Sequence, residues 1–309
     1  MKTKKLILLI LFINSFCTQN YKEEDLAKKY YPDGKFVIIN NIKIFYRERN
    51  QRENKAIVMI HGLGANTTAW DAIMEPLSKK YYTLCFDLPG FGFSEKPDIT
   101  YSRKFYVDFL DNVLNHFNLS NIILMGNSMG GEIVLRYTIK NPKKVEKLIL
   151  IDSAGLHQAK ERPWFLKLGK VPILNQIPTL LINPVIFPYI LSTAYYDYSK
   201  ISEIKNEIYY YPFKTKNDTK ALIDLLTEEL IPIPEHELKK IYQPTLILWG
   251  KEDKWIPVHN VYRFKKLIPD SKLVIFDKTG HDAQEVIQEK TLEEIFRIDD
   301  FLTVPNSMN

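Results

Sequence analysis

The segment Gly126-Asn127-Ser128-Met129-Gly130 follows the apolar run Asn121–Met125 and opens a helical pattern. A strand that turns this tightly into a helix leaves no room for side chains two residues either side of the serine, hence a glycine at each place. Ser128 then projects from a strand's C-terminal end at a helix N-terminus, where N–H groups and the helix dipole favour developing negative charge. The chemistry this suits is attack of a hydroxyl on a carbonyl. A serine hydroxyl is a poor nucleophile at neutral pH and needs a base, which an acid must orient in turn. The oxyanion formed on attack needs at least two N–H donors aimed at it. One is the N–H of Met129, the residue after the nucleophile. The other is expected from His61-Gly62-Leu63-Gly64, just after the apolar run Ala56–Ile60, with Leu63 as the donor.

These residues need a frame, and the chain alternates apolar strands with amphipathic helices. Lys35–Arg49 reads as a hairpin split by Asn40-Asn41. Strands are expected over Ala56–Ile60, Tyr82–Asp87, Asn121–Met125 and Leu148–Asp152, with helices over Thr67–Lys79, Tyr101–Phe117 and Met129–Lys140 between them. The alternation resumes at Thr245–Trp249, with a helix after Pro257, the strand Leu273–Phe276 and a last helix toward Phe301. Short, nearly all-apolar strands between helices imply a mostly parallel, doubly wound sheet covered on both faces. Residues 156–240 lack strand periodicity and are rich in aromatics, among them Trp164, Phe165, Phe187, Tyr189, Tyr195, Tyr209 and Phe213. An unstructured loop of that length is improbable, so this segment reads as a helical lid between two parts of one core, 35–155 and 241–303.

Together with Asp87-Leu88-Pro89-Gly90-Phe91-Gly92-Phe93-Ser94, Leu248-Trp249-Gly250-Lys251-Glu252-Asp253 and Gly280-His281, these motifs resemble the α/β-hydrolase superfamily. The resemblance implies the α/β-hydrolase fold and a triad in the chain order serine, acid, histidine, each on a loop at a strand's C-terminal end. Of six histidines only His281 lies downstream of the last strand, which makes it the expected base. Asp253, three residues past Gly250, is the expected acid; Asp152 is its rival and Glu252 the bystander. A serine nucleophile separates the chain from the epoxide hydrolases and haloalkane dehalogenases of the superfamily, which use aspartate. The elbow with Gly131, and Ile151-Asp152-Ser153-Ala154-Gly155, look most like bacterial lipases, esterases and monoacylglycerol lipases. The same elbow also occurs in C–C bond hydrolases of ring-fission products. Where the family shows an apolar stretch after the histidine, this chain has Asp282.

Composition sets the remaining bounds. With 309 residues, 45% of them hydrophobic and 26% charged, the chain can bury a sizeable core. Its net charge of +5 includes Lys2, Lys4 and Lys5 at the N-terminus, and no basic stripe with interleaved aromatics suggests nucleic acid. Those lysines precede the apolar run Leu6–Ile13, so residues 1–16 read as a signal peptide. Cys17 resembles the acylated cysteine of bacterial lipoproteins, although Phe16 replaces the usual small residue; an ordinary signal-peptidase cut is the competing expectation. The chain is thus expected to be exported and tethered to a membrane through Cys17, alternatively secreted or periplasmic. Neither cofactor nor metal is expected. The expected function is hydrolysis of carboxylic esters, of lipids or acylglycerols, through an acyl-enzyme on Ser128. The alternatives are a C–C bond hydrolase or a non-catalytic lipid-binding relative.

Overall fold

The computed structural model describes residues 21–297 apart from 53, 157–183, 185, 216 and 218. The expected leader 1–16, Cys17, and the lid residues Trp164 and Phe165 lie outside the described residues.

Eight strands form one sheet: β1 (Lys35–Ile39), β2 (Ile42–Arg49), β3 (Ala56–Ile60), β4 (Tyr82–Phe86), β5 (Ile122–Asn127), β6 (Val145–Ile151), β7 (Thr245–Gly250) and β8 (Ser271–Phe276). Their spatial order is β1-β2-β4-β3-β5-β6-β7-β8. The β1–β2 pair is an antiparallel hairpin. Its turn is made by Asn40 and Asn41, both at positive φ, a conformation that asparagine tolerates and tight hairpins require. β2 runs antiparallel to β4, and β3 to β8 pair in parallel throughout. This is the mostly parallel, helix-covered sheet expected from the strand and helix alternation, with the α/β-hydrolase architecture that the motif resemblance implies.

Period-two alternation divides each buried strand between two cores. Val58, Ile60, Leu124, Leu148 and Leu150 face one layer, with Tyr106, Leu110 and Val113 of the helix Arg103–His116 and Ile133 and Val134 of the helix Met129–Lys140. Ile57, Met59, Cys85, Ile123 and Met125 face the other, against Trp70, Ile73 and Leu77. The helix expected over Thr67–Lys79 is a 3-10 turn, Thr67–Trp70, running into the α-helix Asp71–Ser78, capped by the Asn66 side chain accepting from the Thr68 N–H. The last helix among the described residues is Gln288–Phe296.

Two features of topology place the site. From β3 the chain moves to β4 on one side and later to β5 on the other, so the loops after β3 and β5 lie together at the carboxyl end of neighbouring strands. A crevice at such a reversal is where ligands bind in open α/β sheets. The second feature is the point of insertion. The long segment between β6 and β7 starts and ends beside itself: the Ile233 N–H donates to the Gly155 carbonyl at 2.8 Å, and β6 and β7 are neighbours in the sheet. Its described parts include the helices Phe187–Ser192, Glu203–Tyr210, Lys220–Thr227 and Glu235–Leu238.

Candidate active site

Ser128 sits between β5 and the helix Met129–Lys140 with φ 55° and ψ −118°. A non-glycine residue at positive φ is strained and persists only where its surroundings hold it. Here the Ser128 N–H donates to the Ile151 carbonyl at 3.0 Å, and its own carbonyl accepts from Ala154 at 2.9 Å and Glu132 at 3.2 Å. The flanking glycines answer to close approach. A Cβ on Gly126 would lie 2.4 Å from the Gly130 carbonyl oxygen, and one on Gly130 would lie 2.0 Å from that of Ile60. The second obstacle is backbone of a central strand and cannot swing aside. Gly130→Ala is therefore expected to cost about 1–3 kcal/mol, the usual range for overpacking. Thermal unfolding of the variant checks this, and an unchanged midpoint would contradict it.

The loop after β3 comes against the serine. A Cβ on Gly62 would stand 3.1 Å from Ser128 Cβ. The N–H groups of Leu63 and Met129 have no acceptor among the described residues. What holds this loop is His61, which sequence reasoning placed in the motif without a task. Its Nε2 accepts the Leu88 N–H at 2.9 Å, so Nδ1 carries the proton and donates to the Gly62 carbonyl at 2.8 Å. Complete burial pushes the His61 imidazole down to about 4, which keeps it neutral and in that tautomer. Asp87 braces the same region, accepting from the Thr67 and Phe93 N–H groups, both at 2.6 Å.

His281 and Asp253 are brought together from loops after β8 and β7. Asp253 Oδ2 accepts from His281 Nδ1 at 2.7 Å, while its Oδ1 accepts the N–H groups of Trp255 and Ile256 at 2.7 and 3.0 Å. With the Nδ1 proton committed, Nε2 holds the lone pair; this buried atom has no hydrogen-bond partner. Burial lowers the imidazole's proton affinity, but the Asp253 carboxylate outweighs it and raises the pKa to about 9. The rival Asp152 does something else. Its Oδ1 accepts the Gly250 N–H at 2.8 Å, tying β6 to β7. Burial first, then the charge of Asp253, holds its pKa well above the usual carboxylate range. Glu252 clamps the two loops, accepting the Thr279 N–H at 2.9 Å.

Two further contacts escaped sequence reasoning. Asn127 Nδ2 donates to the His281 carbonyl at 3.2 Å, linking the serine turn to the histidine loop across 154 residues. The Trp255 ring lies 5.1 Å from the His281 ring. Neither is visible in local spacing. The lid meets the histidine loop directly: the Ala194 carbonyl accepts the His281 N–H at 2.6 Å, and a Cβ on Gly280 would stand 2.2 Å from that same oxygen.

Ser128, His281, Leu63 and Asn127 line a cavity of about 350 Å³ roofed by Phe187, Leu191 and Phe213. The lid aromatics serve two purposes: Phe187, Tyr209 and Phe213 line the cavity and also pack with Leu191 and Tyr195 as the lid's own core. Tyr189, Tyr196 and Tyr198 are exposed.

A family profile described as the alpha/beta hydrolase fold matches residues 55–286, from β3 to just past the histidine loop. The chain belongs to the α/β-hydrolase family. Among curated members of that family it is 30% identical to Lipase 1 of Psychrobacter immobilis over 255 residues, 77% of this chain and 75% of that one. It is 28% identical over 243 residues to the 2-hydroxy-6-oxo-2,4-heptadienoate hydrolase of Pseudomonas putida, covering 74% of this chain and 83% of the relative. Of solved structures, a bacterial membrane phospholipase A described as a virulence factor superposes with a TM-score of 0.76 at 25% identity, over 99% of this chain and 100% of that one. A meta-cleavage product hydrolase of Pseudomonas fluorescens and a 2-hydroxy-6-oxo-6-phenylhexa-2,4-dienoate hydrolase of Rhodococcus share the fold at 20% identity, and a serine hydrolase involved in carbazole degradation does so at 23%.

Proposed function

We propose that this α/β hydrolase cleaves its substrate at a carbonyl through an acyl-enzyme on Ser128. The observation that carries the reading is His281, with Nδ1 bonded to Asp253 and a bare Nε2 in the cavity that Ser128 lines. In this reading Nε2 takes the hydroxyl proton as Ser128 Oγ bonds to the carbonyl carbon. The oxyanion rests on the Leu63 and Met129 N–H groups, and the proton passes to the leaving group as its bond breaks. Water, deprotonated by His281, then releases the acid and restores the serine. Labelling of Ser128 by a fluorophosphonate tests the reading, and an unlabelled wild-type protein would sink it along with the triad roles.

Two substrate classes fit, and the activities named for the relatives weigh toward the first. This is a ring-fission product of the dienoate or meta-cleavage type named for several relatives and neighbours, cleaved here at a carbon–carbon bond next to a ketone. The second, a carboxylic ester of lipid type, is favoured by the cavity. Apart from Asn127, Ser128, Tyr209, Trp255, His281 and Asp282 its described lining is apolar, with no lysine or arginine to receive the carboxylate that a dienoate carries. Side-by-side turnover of a ring-fission dienoate and of p-nitrophenyl esters of increasing chain length decides. Faster turnover of the dienoate would remove the ester reading, and the converse would remove the other.

Only a neutral imidazole can accept the serine proton. Since Asp253 holds His281 protonated up to about 9, kcat/KM is expected to climb about tenfold per pH unit on the acid side and to level near that value. A profile flat from about pH 6 to about pH 8 would contradict so high a pKa for His281.

Export and a lipid on Cys17 belong to the same proposal, supported by the leader's composition and by the likeness to a membrane phospholipase. Among the described residues no helix is long and apolar enough to cross a membrane. Mass spectrometry of the mature N-terminus tests the lipid; an unmodified peptide beginning at Thr18 would exclude it.

A further inference from the structure

The cavity wall holds one ionisable side chain that the reaction does not use. Asp282 lines the cavity next to His281, and its carboxyl has no hydrogen-bond partner among the described residues. Every other polar side chain in the described lining is committed. Ser128 and His281 face the reacting carbonyl, Asn127 donates to the His281 carbonyl, and the Tyr209 hydroxyl donates to Glu285 at 2.7 Å. Glu285, on the following turn, is saturated by Tyr195, Tyr209 and Lys205, the first and last at 2.8 Å. Lys205, the nearby cation, is thereby spent on Glu285 and does not bond Asp282. The same cavity presents the indole of Trp255, whose Nε1 is held by Thr193 Oγ1 at 2.9 Å.

We propose that Asp282 and Trp255 form a subsite for an ammonium group on the substrate, adjacent to the reacting centre. A carboxylate and an indole lining one cavity are the two groups that attract an ammonium, the first by charge and the second through its ring quadrupole. The apolar remainder of the lining suits the methylenes or methyls around such a cation. A cation also answers the site's imbalance, because among the described residues the acids Asp282, Asp253 and Glu285 meet His281 and Lys205 there. Burial, then the charge of Glu285, raises the Asp282 carboxyl to about 7, against the opposing pull of His281 and Lys205. An ammonium favours the ionised form, so its binding strengthens as pH rises through that value. The inference rests on Ser128 as the nucleophile and not on the choice between the two substrate classes. Its success would turn that choice toward esters of amino alcohols, since a carboxylate-bearing dienoate would be repelled.

The test uses choline and neohexanol, its uncharged carbon isostere, as competitors that slow fluorophosphonate labelling of Ser128. At about pH 8 choline is expected to protect at a concentration roughly tenfold below that of neohexanol, with the advantage shrinking at about pH 6. Loss of this pH dependence in Asp282→Asn, where His281 remains, assigns the change to Asp282. In Asp282→Asn the ratio of the two protecting concentrations is expected to fall to about one at both values. A ratio is independent of how much of the variant folds or how fast it labels. Equal protection by both alcohols in wild type at the higher pH, or an advantage for choline that survives in Asp282→Asn, would overturn the subsite while leaving the Ser128 reading intact. Absence of labelling in wild type would overturn both.

Discussion

Ser128→Ala is expected to lower turnover about a millionfold, the scale of losing the nucleophile of a serine–histidine–acid unit. The substitution removes one oxygen from a position whose backbone is held by three hydrogen bonds and whose flanking glycines stay in place. Fold and cavity should therefore survive. A thermal midpoint within a few degrees of wild type, beside vanished ester or dienoate hydrolysis, is the expected pair of results. Residual activity within about a hundredfold of wild type would show that the reaction does not pass through this hydroxyl. Choline protection cannot be read in this variant, since no label forms, so equilibrium binding of the substrate takes its place; retained binding would separate lost chemistry from lost structure.

The second large effect concerns two aspartates. Asp253→Asn is expected to cost about 10⁴ in kcat, because an amide facing Nδ1 favours the wrong tautomer and leaves the imidazolium without its counter-charge. The variant also loses the cause of the high His281 pKa, so the acid limb of its profile should move toward neutral pH. Asp152→Asn is expected to change turnover far less. Burial raises that carboxyl's pKa and so disfavours its charge, and an asparagine oxygen can still accept the Gly250 N–H. Measuring both variants across pH checks the assignment; a larger loss in Asp152→Asn than in Asp253→Asn would exchange the two roles.

The contrast between these acids marks where sequence reading stops. Both stand at the C-terminal ends of neighbouring strands, β6 and β7, and spacing alone leaves each within plausible reach of a histidine loop. What separates them is which oxygen meets Nδ1 and which meets a backbone N–H, and that depends on loop paths. The sheet was more legible because β3, β4, β5 and β7 are buried on both faces and so read as unbroken apolar runs. The serine turn was legible because close backbone approach admits only glycine at Gly126 and Gly130. His61, Asn127 and Trp255 were missed as supports because their partners lie on other loops. Asp282 stood out as a departure from the family pattern, yet only the cavity shows what it faces.

The hydrogen bond between Ile233 and Gly155 has a consequence for how such a molecule could change over generations. Because the ends of the inserted segment already touch, the core does not register its length: doubling a loop closed at fixed ends costs only about 0.6 kcal/mol. The segment that roofs the cavity is therefore a replaceable cassette, while the strands beneath it are not. Transplanting the corresponding piece of a relative onto Gly155 and Ile233 would hand the same serine a different diet.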